Sequence, residues 1–556
     1  MLKDRKFSSA QIAFGLAIFN IVFYMLFPMP GFRRWDGLMT ATTITHFSDT
    51  PWQVILFFAH SLIIPITQFI NWVIPPADPL LITALREVCF SALNVVIIYL
   101  FFRNYLKQDL PAVLLAMAYI FCHAHWQFTT GGEEKDSMLI LNMVYLIGFF
   151  QFKGWLNLNI EIFKPHQPNA NYPPSWVRRM QVEIILGIVL AVSIMIHLEN
   201  GLLVITTIIM YLMRKKFYRN IRTEFPELVR IMATAGVLLL IWFSIVLFGI
   251  NRITTMSGAL RWLMEYHVTG EFFNTDIHFT DQFVWAYQGF RRFLVGKHFE
   301  HEMMGLEAIA ATIITFIIVI RSYRHAPRII GMALIYIGLL TAHFFFWLPW
   351  DPEQWNPVVF CGFIVLSPAV FATRSYKPTL VACGLVAVLA MVNFSSYHKS
   401  SGKYRPIYEQ NNLYNSDRVK GFNGLFLRNI PYANLAQLVA QNTKPGALIF
   451  LDQRHLANHL LIYSDLIPII IRYLDKDDEL LRNEYYLSQL SMHFYKPPFS
   501  QSEINFMLQS GWEAYYLTNR KTSVNYLQNS FSVDLEIIQN FNLSKFSLYK
   551  LSPMQE

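Results

Sequence analysis

The ionisable residues that could do chemistry fall in short clusters: Arg33-Arg34-Trp35-Asp36, His60, His123 with His125, Glu133-Glu134-Lys135-Asp136, His197-Leu198-Glu199-Asn200, and Trp350-Asp351-Pro352-Glu353-Gln354-Trp355. Carboxylates and imidazoles move protons or ligate metals, while lysine and arginine hold anions. Each cluster also has a reading without chemistry. Arg33-Arg34-Trp35 suits an interfacial anchor, and the Trp350–Trp355 stretch an aromatic belt with a proline turn. The acids of Glu133–Asp136 favour a helix N-terminus, and His197 and Glu199 can satisfy one another at a turn. His123 and His125 fit local hydrogen bonding better than metal binding, because no third ligand follows from the spacing.

The elements that carry these clusters are apolar. Of 556 residues 54% are apolar and 15% charged, and the mean hydropathy is +0.34, too little charge to wet a soluble surface of this size. The apolar residues form blocks near 10–28, 84–102, 110–127, 137–153, 181–198, 200–213, 228–250, 305–320, 328–348, 357–373 and 379–395. Blocks of this length cross all or most of a hydrocarbon core of roughly 30 Å. The expected architecture is therefore a polytopic α-helical membrane domain over 1–395, with about eleven transmembrane helices, and a water-facing α/β domain over 396–556. The first block is expected to be retained, since Phe27-Pro28-Met29-Pro30-Gly31 offers no small-x-small cleavage site.

Basic residues set the expected orientation. With a cytoplasmic N-terminus, Lys3–Lys6, Arg103 and Lys107, Lys153–Arg179, Arg214–Arg222, Arg321–Arg328, and Arg374 with Lys377 all fall on the cytoplasmic side. The net charge of +8 is then largely an orientation signal, and no nucleic-acid partner is expected. Trp52–Ile74 is apolar but holds His60, Ser61, Pro65, Gln68 and Asn71. Counting it as a span would invert every later loop, so it reads as a re-entrant or interfacial helix. Every polar cluster then lies on the outer face, although only basic residues chose the orientation.

After residue 395, Ala447–Leu451, Leu466–Ile471, Glu513–Thr518 and Phe546–Leu551 read as buried strands, and Ala433–Gln441 and Gln501–Ser510 as helices. His455 and His459, four apart on a possible helix, lack a neighbouring glutamate and fit a surface helix better than zinc. The four cysteines all lie in apolar blocks, so no disulfide framework is expected.

Trp35-Asp36-Gly37, Ala59–Ile63, Thr129–Asp136, Ile196-His197-Leu198 and Trp350–Trp355, on a multi-pass core with a C-terminal outer domain, resemble the GT-C superfamily of membrane glycosyltransferases. The layout is similar to protein O-mannosyltransferases and aminoarabinose transferases, and nearer still to bacterial members without an assigned activity. The resemblance implies transfer of a sugar from a polyprenyl-phosphate donor to an acceptor at the outer face of a bacterial inner membrane. It implies Asp36 as the base or acceptor-orienting group, and Arg33, Arg34, His60, Lys135 and His197 as partners of the donor phosphate. Glu133, Glu134, Asp136, Glu199, Asp351 and Glu353 would bind acceptor or a divalent metal, which the sequence does not require. One departure is visible: many relatives carry an acidic pair in the first loop, and here Asp36 has no acid nearer than Asp49. A non-catalytic assembly protein of the same fold, or a flippase for a lipid-linked substrate, are the alternatives. The sequence assigns no oligomeric state.

Overall fold

The computed structural model describes residues 8–28, 61–74, 79–158, 160–164, 175–213, 220–250, 279–296, 304–346, 351–371, 376–410, 431–451, 466–470, 508–518, 533–541 and 546–553, with some isolated positions besides. Arg33, Arg34, Asp36 and His60 lie outside the described residues. The chain divides into two compact units: one of residues 1–27, 57–65 and 86–396, the other of residues 28–56, 66–85 and 397–556.

The larger unit is helical. Its helices are α1 (Ser9–Leu26), α2 (Ile63–Val73), α3 (Pro79–Leu106), α4 (Asp109–Ile120), α5 (His123–Gly131), α6 (Lys135–Phe152), α7 (Ser175–Ile196), α8 (Leu202–Leu212), α9 (Ile221–Ser244), α10 (Phe279–Val295), α11 (Met304–Tyr323), α12 (Pro327–Phe346), α13 (Asn356–Phe371) and α14 (Lys377–Gln410), of which α2, α3 and α14 extend into the other unit. Ten of the eleven expected spans each overlap one of these helices, and the eleventh, 110–127, is divided between α4 and α5. Among the described residues seven are long and apolar enough to cross a membrane; α4, α8 and α13 are apolar but shorter. The chain is thus a multi-pass membrane protein, with seven candidate spans among the described residues. The described part of Trp52–Ile74, residues 61–74, carries the 11-residue α2. At 1.5 Å per residue it reaches roughly 16 Å, too short to cross alone.

Local chemistry explains where these helices start and stop. Ser8 and Gln11 cap α1 reciprocally, each side chain bonded to the other's backbone N–H at 3.3 and 2.8 Å. The expected span 110–127 is broken: α4 ends at Ile120 and α5 begins at His123. Backbone freed inside a membrane must be satisfied by protein. Here Tyr24 donates to the Ile120 carbonyl at 2.7 Å, and Asn393 Nδ2 donates to the carbonyls of Phe121 and Leu294 at 2.7 and 2.8 Å. Helices α7 and α9 cross closely at Gly187, where an added Cβ would meet Thr234 Cβ at 2.6 Å and the Ile231 carbonyl oxygen at 2.7 Å. Small residues permit such approach where lipid offers no hydrophobic drive between helices. Gly187→Leu is expected to destabilise the membrane domain, seen as a lower thermal midpoint in detergent, while Gly15→Leu, with open space around it, changes little.

The smaller unit holds a five-stranded sheet of β1 (Leu448–Leu451), β2 (Ile467–Ile470), β3 (Ala514–Thr518), β4 (Val533–Phe541) and β5 (Phe546–Pro553), in the order β2-β1-β3-β5-β4. Strands β2, β1 and β3 are parallel; β5 runs antiparallel to both β3 and β4. Four of the five were expected. β4 was missed because, as an edge strand, it is mostly exposed and shows neither a buried run nor clean alternation. Its core gathers Ile449, Leu451, Tyr515, Leu517 and Leu548 with Leu435 and Val439 of α15 (Pro431–Gln441), and the N-terminal part of the chain adds Ala41 and Leu80. His459 is fully buried in this unit, which corrects the expected surface position; His455 lies outside the described residues.

Candidate functional site

The polar clusters of the larger unit meet at the N-terminal end of α6, built on one face of α3. Glu87, Ser91 and Asn94, spaced four and three apart, line that face, with Arg86 beside them; all four are buried. Opposite them Gly132, in the left-handed region at φ +73°, closes α5, and its carbonyl accepts from Arg86 Nη2 at 2.8 Å.

Helix α6 starts on a cap donated from a distant helix. Glu87 Oε2 accepts the backbone N–H groups of Asp136 and Ser137 at 2.9 and 3.1 Å, and Oε1 accepts from Ser137 Oγ at 3.0 Å and Arg86 Nε at 2.8 Å. An anion there also meets the positive end of the helix dipole. Asp136 is equally occupied. Its Oδ1 accepts from Tyr119 at 2.7 Å and Asn94 at 3.0 Å, and its Oδ2 from Thr129 at 2.6 Å. Ser91 Oγ lies 3.1 Å from His125 Nε2, whose Nδ1 is 3.5 Å from Asp136 Oδ1. That order mimics a hydrolytic triad, yet all three residues are fully buried. With Asp136 spent on three hydrogen bonds, the chain braces α3, α5 and α6.

Lys135, one residue earlier, is placed differently. Its Nζ lies 2.5 Å from Glu353 Oε1 and 3.2 Å from His197 Nε2, and its carbonyl accepts from Asn356 Nδ2 at 3.0 Å. His197 is held by the turn between α7 and α8: its N–H returns to the Ser193 carbonyl at 3.1 Å, its own carbonyl accepts the Asn200 N–H at 3.0 Å, and Glu199 Oε2 lies 3.9 Å from its Nδ1. Glu353 comes from the short turn Pro352–Trp355, capped by Asp351, whose Oδ1 accepts the Glu353 N–H at 3.0 Å. Three of the candidate residues, Lys135, His197 and Glu353, therefore converge from three segments distant in sequence. Glu199 stands beside them, and Asp351 acts on the turn.

Glu133 and Glu134 are both buried in the same loop. Arg86 Nη2 lies 3.8 Å from Glu134 Oε2. Burial pushes the Glu134 carboxyl up to about 7; Arg86 and Lys135 pull it down and Glu87 pushes it further up. Because the folded value is the raised one, Glu134 contributes stability that is fully present below its unfolded value of 4.5 and lost as pH rises through about 7. The difference in thermal midpoint between wild type and Glu134→Gln is expected to change across that window and to level off above it; a constant difference would contradict the assignment. Among the described residues no group of three or more His, Cys, Asp or Glu is arranged to hold a metal ion.

A second polar cluster occupies the other end of α6, roughly 27 Å away by helix rise. Lys153 Nζ pairs with Glu224 at 3.0 Å and with Glu227, which also takes Arg179 and the Tyr211 hydroxyl; Glu183 takes Arg230. Lys153 and Arg179, read from sequence as orientation signals, thus also knit α6, α7, α8 and α9 together. Neither this network nor Arg86, Glu87, Ser91 and Asn94 was singled out from sequence. An Arg-Glu pair inside the apolar block 84–102 was the available signal, since ionisable groups in spans are costly.

No protein-family model matches the chain, and no curated protein matches its sequence. Solved structures do. ArnT from Cupriavidus metallidurans bound to undecaprenyl phosphate aligns with a TM-score of 0.61 at 12% identity, covering 97% of both chains. Its apo form aligns at 0.59, also at 12% identity, over 98% of both. An Archaeoglobus fulgidus oligosaccharyltransferase aligns at 0.48 and 11% identity, over 92% of this chain and 70% of that one. The resemblance to GT-C glycosyltransferases drawn from the sequence is met at the level of architecture: over nearly its whole length, this chain has the fold of ArnT.

Proposed function

We propose that the protein is a membrane glycosyltransferase that moves a sugar from a polyprenyl-phosphate-linked donor to an acceptor at the outer face of the membrane. The observation that carries this reading is the near full-length likeness to ArnT, whose structure holds undecaprenyl phosphate. The convergence of Lys135 and His197 supports it from the chemistry. A lysine ammonium beside an imidazole suits a phosphate on which negative charge builds as the sugar departs. In this reading Arg33, Arg34 and His60 also serve the donor phosphate, and Asp36 accepts the proton of the acceptor hydroxyl while orienting it for attack. Glu133 and Glu199 remain candidates for acceptor binding, whereas Asp136 acts as a brace. The N-terminus is cytoplasmic and the C-terminal domain extracytoplasmic, following the distribution of lysine and arginine.

The test is transfer in membranes from a polyprenyl-phosphate-linked sugar, with Asp36→Asn as the critical variant. Transfer is expected to be abolished while the variant keeps the wild-type thermal midpoint. Unchanged transfer would remove Asp36 as the base, and absence of transfer by the wild type from a panel of such donors would favour a non-catalytic assembly protein.

A further inference from the structure

We propose that Glu353 is a displaceable occupant of an anion site centred on Lys135, so that a lipid-borne phosphate takes the place of its carboxylate on the ammonium. This rests on the reading of Lys135 as a partner of the donor phosphate, and adds to it a residue that regulates entry.

The argument begins with cost. Lys135 is only 3% exposed, and a buried ammonium is strongly unfavourable unless an anion faces it. Glu353 supplies that anion at 2.5 Å. Exchanging one anion for another keeps the charge compensated, so the exchange avoids the penalty that stripping the lysine would incur.

The carboxylates around this end of α6 differ in their access to solvent. Glu87 and Asp136 are completely buried and accept backbone or hydroxyl hydrogens at three or more points. The Glu353 side chain is 15% exposed and reaches the ammonium from a four-residue turn. That turn is anchored by other residues. Asp351 caps it, Trp355 packs against Phe290 and Phe344 with ring centroids 5.3 and 6.2 Å apart, and Asn356 Nδ2 donates to the Lys135 carbonyl at 3.0 Å. The main chain therefore stays in place while the glutamate side chain, with three rotatable bonds, turns toward its exposed edge. A phosphate monoester such as undecaprenyl phosphate has more charge and more acceptor oxygens than a carboxylate, so it competes successfully where a neutral or phosphodiester headgroup does not. Glu353 thereby sets a threshold that favours phosphate over other lipids. No bond is made or broken in the exchange.

The experiment is a titration of the full-length protein in nanodiscs with undecaprenyl phosphate, read by native mass spectrometry. Glu353→Gln is expected to bind at least about fivefold tighter than wild type, and Lys135→Met at least about tenfold more weakly. Glu353→Gln in the Lys135→Met background should have no further effect. Glu353→Asp, which keeps the charge but shortens the reach, should lie between wild type and Glu353→Gln, and serves if the glutamine variant fails to fold. Weakened binding in Lys135→Met with unchanged or weaker binding in Glu353→Gln overturns the displacement and leaves the phosphate site standing. Unchanged binding in Lys135→Met overturns both.

Discussion

Glu87→Ala is expected to lower the stability of the membrane domain by roughly 3–5 kcal/mol, the cost of stripping one partner from a buried charged pair. The substitution leaves the N–H groups of Asp136 and Ser137 without their cap, leaves Ser137 Oγ only the Glu134 carbonyl as acceptor, and takes the adjacent carboxylate from the Arg86 guanidinium, all in a buried environment. Each hydrogen bond to a charged group is worth about 1.5–3 kcal/mol, so the total does not depend on any single contact. Glu87→Gln, which keeps an acceptor but not the charge, should fall between the two. Asp351→Ala removes the cap of a short turn and is expected to cost about 1 kcal/mol. Equilibrium unfolding in mixed micelles measures all three. Equal losses for Glu87→Ala and Asp351→Ala would show that the α3–α6 cap is not a major support of this end of the bundle.

The second large effect is on function. Lys135→Met is expected to reduce sugar transfer by roughly 100-fold, the scale seen when one preorganised charge is removed from developing negative charge. The same variant should fold, because Glu353 is partly exposed and can turn to water once its lysine is gone. Lys135→Arg is expected to restore little: the guanidinium is larger and forked, and the ammonium it would replace already sits 3.2 Å from His197 Nε2 and 2.5 Å from Glu353 Oε1. Initial transfer rates at saturating and limiting donor separate lost binding from lost transition-state stabilisation. Full activity in Lys135→Met would exclude the lysine from the reaction.

These two residues illustrate what a sequence can and cannot disclose. Lys135 was visible because a lysine among acids at the start of an apolar block is expensive and therefore informative. Its meeting with His197 and Glu353 joins residues 62 and 218 positions away, so only the topology of the bundle brings them together. Glu87 was passed over although it carried the same signal, as one of an ionisable pair inside an apolar block. Its partners, the amides of Asp136 and Ser137, are brought to it only once α6 has formed and packed, 49 and 50 residues later. Asp136 was legible as an acid but not as a brace, since its role depends on Thr129, Tyr119 and Asn94 arriving around it. Hydropathy found the helices because apolar length is local. It passed over the break at Phe121, which is stabilised by Asn393 from α14.

The most direct test of the account is an experimental structure of the full-length protein in a lipid nanodisc with undecaprenyl phosphate bound. The account predicts the phosphate within hydrogen-bonding reach of Lys135 Nζ, near His197, with the Glu353 carboxylate turned away from the ammonium. A phosphate bound at the opposite end of α6 beside Lys153, or the lipid bound with the Lys135–Glu353 pair intact and remote from it, would contradict it.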